Sequence, residues 1–324
     1  MTNRLCRVAL AAAALVLTTC LAACISIPGD DGDRRSDAVR IGTLRGQPHL
    51  FHPFFMKELA TDGGSYEIVL FDNSPDMKNA IVSGSIDFAV LGVPSMLAGV
   101  AAGEDVRIIA SAANGGFGFV GKPDIATVDD LRGRRIAYPA GATQEILLKL
   151  ILEKNGLDPK QDVTLVNLPF SDMANAYRSE QVDAFMGAEV GPSIALNAGA
   201  KNIASPYDTP IGGVNIAFGT RASLIEQNPE LVGAVVKDLA AATDYMAAHP
   251  DEWATKVVNE FGLDPDVIKT AITNIYPRWQ LDEEYRRHVA ALAELMVAFD
   301  QISGAPDMSK VFDTTFVDAV NSVH

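Results

Sequence analysis

Cysteine is almost missing from this chain: Cys6, Cys20 and Cys24 are its three, all within the first twenty-four residues. The body therefore has no internal disulfide and no thiolate metal site. Histidine is scarce as well, at five. His49 and His52 stand three apart, but no third ligand and no His-Glu-x-x-His string accompanies them, so no metal is expected. No Gly-x-Ser-x-Gly string occurs, which removes the nucleophile elbow of an α/β hydrolase, and no catalytic residue is nominated. Basic residues are in deficit, 26 against 41 acidic, for a formal net charge of −15. The densest basic run in the body is Arg132, Arg134 and Arg135, too little to hold a nucleic acid, and the net charge repels anionic lipid headgroups.

What is present begins with a distinctive leader. Arg4 and Arg7 precede the apolar run Val8 to Leu17, which is too short to span a bilayer and has the form of a secretory signal. It closes on Leu21-Ala22-Ala23-Cys24, a string resembling the bacterial lipobox, in which the cysteine sulfur receives the lipid. Leu17-Thr18-Thr19-Cys20 is a poorer match because of its β-branched residues. Residues 1–23 are thus expected to be a lipoprotein signal peptide and Cys24 the lipidation site. Residues 24–38 read as the lipidated cysteine and a polar tether that contains Pro and Gly.

From Val39 the pattern alternates strand and helix, βαβαβ, which favours a parallel sheet. Ser74-Pro75-Asp76 reads as an N-cap followed by proline in the first turn. The unit then recurs. Met77, Asn79, Ala80, Ser83, Ile86 and Asp87 are matched 96 positions later by Met173, Asn175, Ala176, Ser179, Val182 and Asp183. Arg40-Ile41-Gly42 is likewise echoed by Arg135-Ile136-Ala137. Two similar α/β lobes suit a chain of 324 residues better than a single core. Thr127 to Leu131 reads as a capping-box start, and after Ala217 the chain turns mainly helical, with Asn228-Pro229-Glu230 and Asp264-Pro265-Asp266 as helix starts.

Gly116-Phe117-Gly118-Phe119-Val120-Gly121-Lys122-Pro123 contains a GxGxxG string and most of a P-loop. Pro123 replaces the hydroxyl residue and bars a following helix, so the stretch reads as an extended crossover between lobes, and no nucleotide or other cofactor is expected. Ligands of open α/β sheets bind beyond the carboxyl ends of the strands. Candidate ligand contacts are therefore Leu44, Gln47, Pro48 and His49 after the first strand, Val93, Pro94 and Ser95 after a later one, and Asn114 ahead of the crossover. In the second lobe they are Gly141, Ala142, Thr143, Gln144 and Glu189. Gly141 to Gln144 is either an anion-binding helix start or an ordinary N-cap. Glu189 is either a carboxylate aimed into the cleft, where it suits a ligand carrying an amine, or a solvated first-turn acid.

Ser83-Gly84-Ser85-Ile86-Asp87-Phe88-Ala89, the run Thr127 to Ala137, and Gln181-Val182-Asp183-Ala184-Phe185 followed by Pro192 together resemble the solute-binding proteins of the nitrate, taurine and alkanesulfonate importer family, which also includes pyrimidine-precursor binders. The resemblance implies a type II periplasmic-binding-protein fold, two doubly wound α/β lobes joined by two crossover strands and finished by C-terminal helices. Lobe 1 then covers residues 39–115 and 214–324, and lobe 2 covers 116–213. It implies a monomeric, exported, lipid-anchored protein that closes on a small organic solute, bringing Gln47 and Thr143 together, and docks on the permease and ATPase subunits of an ABC importer. Two alternatives share the fold: a chorismate-processing enzyme of menaquinone synthesis, and a ligand-sensing lipoprotein. The lipobox weighs against the enzyme, whose group works in the cytoplasm, and the cysteine-rich segment of related pyrimidine synthases is absent.

Overall fold

The protein is described here from a computed structural model that covers residues 38–60 and 65–322. The expected leader, Cys24 and the tether up to residue 37 lie outside the described residues. The chain opens with four strands of one sheet: β1 Val39–Leu44, β2 Tyr66–Phe71, β3 Phe88–Gly92 and β4 Arg107–Gly115. It then crosses to a second sheet through β5 Phe117–Gly121, β6 Arg135–Tyr138, β7 Thr164–Asn167, β8 Ala184–Ala188 and β9 Lys201–Asn202. It returns through β10 Val214–Thr220 and later adds β11 Ile275–Pro277.

The first sheet has the order β11-β4-β10-β3-β1-β2 and the second β7-β6-β8-β5-β9. In each, three parallel strands joined by helices are followed by an antiparallel strand that belongs to a crossing: β10 pairs β3, and β5 pairs β8. The 96-residue repeat has a physical basis in this symmetry. The Asp87 carboxylate accepts from the Arg40 N–H at 3.0 Å, and the Asp183 carboxylate from the Arg135 N–H at 3.0 Å. Each arginine side chain also donates to a carbonyl at the end of the preceding helix, Gly84 and Glu180 respectively, both at 2.8 Å. The shared Asp thus ties the start of the lobe's central strand to the turn before its third strand.

The lobes join where the chain must bend sharply. Gly115 and Gly116 have φ of +76° and +75°, and a Cβ on Gly115 would lie 2.5 Å from the Asn274 carbonyl. The return crossing is bonded to the outgoing one, Gly115 N–H to the Gly213 carbonyl at 2.7 Å, and the Asn215 amide to the Gly115 carbonyl at 2.7 Å. Two helix pairs also connect the lobes, Val190–Asn197 with Pro265–Ile272 and Thr143–Lys154 with Glu283–Ala298.

Most expected helix starts are where the sequence puts them. Asn228 accepts from the Leu231 N–H and Asp264 from the Asp266 and Val267 N–H groups, each followed by proline. The helix Ser74–Ser83 differs, because its cap is Asn73, whose side chain accepts from the Asp76 N–H at 2.8 Å. Ser74 falls inside the first turn, and its Oγ accepts from the Gly92 N–H at 3.0 Å, so it links two loops of the ligand cleft. The core of the first lobe stacks Phe88 on Phe218 across β3 and β10, and the same hydrophobic cluster includes the buried Val232, Val235, Val236 and Leu239 of the helix Pro229–Ala248. Burying each such side chain contributes roughly 1.5–3 kcal/mol. Among the described residues no helix is long and apolar enough to cross a membrane.

Candidate ligand-binding site

Between the two sheets lies a cavity of about 290 Å3. Its walls come from the carboxyl ends of the parallel strands: Leu44 and His49 after β1, Asp72 to Ser74 after β2, and Gly92, Pro94 and Ser95 after β3. The second lobe contributes Pro139 to Gln144 after β6 and Asn167 to Phe170 after β7, and the crossing contributes Asn215 and Ile216. Four helices begin at this cavity, Ser74–Ser83, Val93–Ala101, Thr143–Lys154 and Phe170–Arg178. Each brings the positive end of its dipole to the cavity, although the first-turn N–H groups of Asp76, Glu145 and Asp172 already donate to the Asn73 side chain and to the Ala142 and Pro169 carbonyls.

Formal charge is nearly absent from the walls. Among the described residues, no lysine or arginine lines the cavity, and Asp72 is its one carboxylate. Asp72 is held 3.5 Å from Arg45, with both side chains largely in solvent. His49 is neutral: burial, and then the charge of neighbouring His52, push its pKa down to about 3. Negative charge in this cavity would meet helix N-termini and neutral donors, which lowers the cost of desolvating an anion without a countercharge. Two buried polar atoms have no protein partner there, the Thr143 Oγ1 and the His49 Nδ1. Such atoms cost ~1–3 kcal/mol each when left unsatisfied, so they mark where a bound polar group fits. Leu44, Pro94, Leu168, Phe170 and Ile216 make much of the remaining wall apolar.

Eight sequence-nominated residues line this cavity: Leu44, His49, Pro94, Ser95, Gly141, Ala142, Thr143 and Gln144. Five do not. Gln47 lies in an adjoining part of the groove with Phe170, Val190 and Phe261, so it and Thr143 do not share one recess. The Pro48 carbonyl faces the core and accepts from the Trp253 indole N–H at 3.2 Å, and the Val93 side chain is fully buried. Asn114 sits in β4 behind the cavity, opposite Tyr276.

Glu189 is also turned away from the cavity. Its carboxylate accepts from the Asn274 amide and from the Ser193 hydroxyl, in a separate recess lined by Phe117, Pro192 and Tyr207. It is neither solvated nor available to an amine in the main cavity, and its burial raises its pKa to about 7. The residues that sequence reasoning passed over are those after β2 and β7, above all Asn73, Ser74, Asn167 and Phe170. The rule that nominated the other loops applies to these as well, since they also follow parallel strands. Among the described residues no three His, Cys, Asp or Glu side chains converge to hold a metal ion.

Two similarly wound α/β lobes, two crossings and a cavity at the carboxyl ends of both sheets define the type II periplasmic solute-binding fold. The alkanesulfonate-binding protein SsuA from Xanthomonas axonopodis pv. citri, solved bound to MOPS, shares it with a TM-score of 0.75 at 22% identity, covering 86% of this chain and 98% of that one. Residues 63–253, more than half of the chain, match the family described as NMT1/THI5 like, and the chain belongs to that family. The taurine-binding periplasmic protein of Escherichia coli is 30% identical over 213 residues, 63% of this chain and 64% of its own. A Brucella abortus binding protein, whose role is itself an inference, is 26% identical over 186 residues, 56% of this chain and 58% of its own length. The chain therefore spans little more than half of that relative.

Proposed function

We propose that this protein is the extracytoplasmic solute-binding subunit of an ABC importer, and that its cargo is a small organic molecule with an anionic headgroup. The observation that carries this reading is the convergence of four helix N-termini on a cavity with unpartnered Thr143 Oγ1 and His49 Nδ1 and, among the described residues, no lysine or arginine in its walls. Helix termini stabilise a compact oxyanion, and the apolar walls fit a carbon body beside it. A cavity of this size favours an organic sulfonate or taurine-like solute over a bare nitrate ion, and a pyrimidine precursor, which lacks an anionic headgroup, is the alternative cargo that the screen separates from it. The lobe boundaries at residues 39–115, 116–213 and 214–324 belong to the same reading, as does a monomer docking on permease and ATPase subunits.

Export and anchoring through Cys24 complete the proposal. A Cys24→Ser variant should move from the membrane fraction to the soluble fraction and lose incorporated radiolabelled palmitate. Retention of label and membrane fractionation by the variant would reject Cys24 as the anchor. The ligand is tested by a thermal-shift screen of residues 25–324 against taurine, alkanesulfonates, nitrate, aminomethylpyrimidines and aromatic acids. A ligand at about a hundred times its dissociation constant stabilises the fold by ~2.7 kcal/mol, a shift of roughly 5 °C or more. A response to neutral or cationic solutes alone would reject the anionic class.

A further inference from the structure

We propose that Gln301 is a positioning residue of the ligand site, holding the Gly141–Thr143 turn in place from the opposite lobe. This rests on the solute-binding reading of the cavity. The turn starts the helix Thr143–Lys154 and carries the unpartnered Thr143 hydroxyl, so its conformation sets the donor geometry that an anion meets. Gly141 adopts φ of +76°, and its N–H donates to the buried Glu145 carboxylate at 2.8 Å. Within its own lobe the turn is also tied by the Ala140 N–H to the Asn167 side chain at 3.0 Å, by the Glu145 N–H to the Ala142 carbonyl at 3.2 Å, and by a long Ala142 N–H to Pro139 carbonyl contact of 3.4 Å.

The rest of the support comes from the segment that follows the helix Glu283–Ala298, which packs against the first lobe's β10 and the helix Val93–Ala101. The Gln301 Nε2 donates to the same Glu145 oxygen at 2.7 Å and to the Ala142 carbonyl at 3.3 Å. Lys149 closes the group, donating to the other Glu145 oxygen at 2.6 Å and to the Phe299 carbonyl at 3.4 Å. Glu145 is thus shared between the turn it shapes and the lobe opposite. The backbone that delivers Gln301 is itself held in an uncommon form, with Asp300 at φ of +60° and the Gln301 N–H bonded to the Met296 carbonyl at 2.8 Å. A non-glycine residue in the left-handed region persists where surrounding contacts over-determine it. The site's anion-binding turn is therefore complete when the lobes are together and loses a donor when they part, which couples ligand capture to closure.

Hydrogen–deuterium exchange on the ligand-free protein tests the clamp without any knowledge of the cargo. Gln301→Ala should speed exchange in peptides covering 140–145 about tenfold and leave those covering β7 and β8 unchanged, whereas wild-type rates at 140–145 would overturn the proposal. Gln301→Lys restores a donor to Glu145 and Ala142 and should return exchange to within about threefold of wild type. A lysine variant as fast as the alanine variant would mean that a general loosening had been measured, and would also overturn it. For any solute found in the screen, Gln301→Ala should raise the dissociation rate about tenfold, and an unchanged rate rejects the positioning role. A screen in which nothing binds wild type would instead overturn the solute-binding reading, and the exchange result would still decide the clamp.

Discussion

Asn274, in the turn just ahead of β11, donates its side-chain amide to the Glu189 carboxylate at the start of the second lobe's helix Val190–Asn197. The same amide donates to the Phe117 carbonyl at 2.8 Å, its oxygen accepts from the Tyr207 hydroxyl at 2.7 Å, and the Asn274 carbonyl accepts from the Gly116 N–H at 2.8 Å. One asparagine from the first lobe thereby fastens the outgoing crossing, Tyr207 of the second lobe and a buried acid.

That acid gives the fold a pH dependence of defined sign. Burial raises the Glu189 pKa from 4.5 to about 7, against the opposing effect of its Asn274 and Ser193 hydrogen bonds. The folded state then binds a proton that the unfolded state has released, so the contribution of Glu189 to stability falls as pH rises from about 4.5 to about 7 and is flat above. Glu189→Gln should be more stable than wild type at pH 8, by about 1–3 kcal/mol, and equal to it at pH 4. Urea unfolding at the two pH values measures this, and a glutamine variant that is weaker at pH 8 would mean that the ionised carboxylate is favoured there.

His49 works in the opposite direction. Its pKa is lowered from 6.5 to about 3 and that of His52 to about 4, burial leading in both, so the unfolded state takes up protons that the folded state refuses. Their contribution to stability is whole above pH 6.5 and is lost as pH falls towards 4 and then 3. NMR titration should find neither ring titrating between pH 5 and 8. A His49 midpoint near 6.5 would mean that the cavity holds an imidazolium, and the neutral-donor account of the site would fail.

How much of this was legible in the sequence follows from the range of the interactions involved. The Arg40–Asp87 and Arg135–Asp183 pairs are visible as a repeat because each lobe uses one local unit, with Met77 and Met173 both buried beneath it. The caps at Asn228 and Asp264 are legible because capping is settled within three residues. Asn73 was missed because two capping residues stand side by side, and the bond from the Gly92 N–H to Ser74, eighteen residues away, decides between them. The position of Glu189 after β8 leaves both the cleft and solvent open to its side chain, and the direction it takes is set by Asn274, 85 residues further on. Gln301 carries no local signal at all, since its partners Ala142 and Glu145 lie more than 150 residues away.

The hinge offers a comparison between two glycines with the same backbone angle. Gly115 and Gly156 both have φ of +76°, but a Cβ at Gly156 meets open space while one at Gly115 would lie 2.5 Å from the Asn274 carbonyl. Gly156→Ala should cost about 1–2 kcal/mol, the left-handed penalty alone. Gly115→Ala adds a backbone collision and should cost upwards of about 3 kcal/mol, or part the crossing from Asn274. Chemical denaturation of the two variants separates these cases, and equal losses would mean that the crossing yields freely at Gly115.

Thr143 gives the most direct reading of the cavity. Its side chain is buried, its hydroxyl has no protein partner, and it stands in the first turn of the helix Thr143–Lys154. Valine preserves the shape and removes the hydroxyl, so Thr143→Val should leave the ligand-free protein as stable as wild type or up to about 1 kcal/mol more so. If the hydroxyl donates to a bound anion, the same change should weaken binding about tenfold, roughly 1.4 kcal/mol, while Thr143→Ser stays within about threefold of wild type. Isothermal titration calorimetry with the first solute to shift the melting temperature measures both variants. Equal affinity of the valine and wild-type proteins would move the headgroup away from this helix start and towards Ser74 and Ser95 on the facing lobe, where two other helices begin.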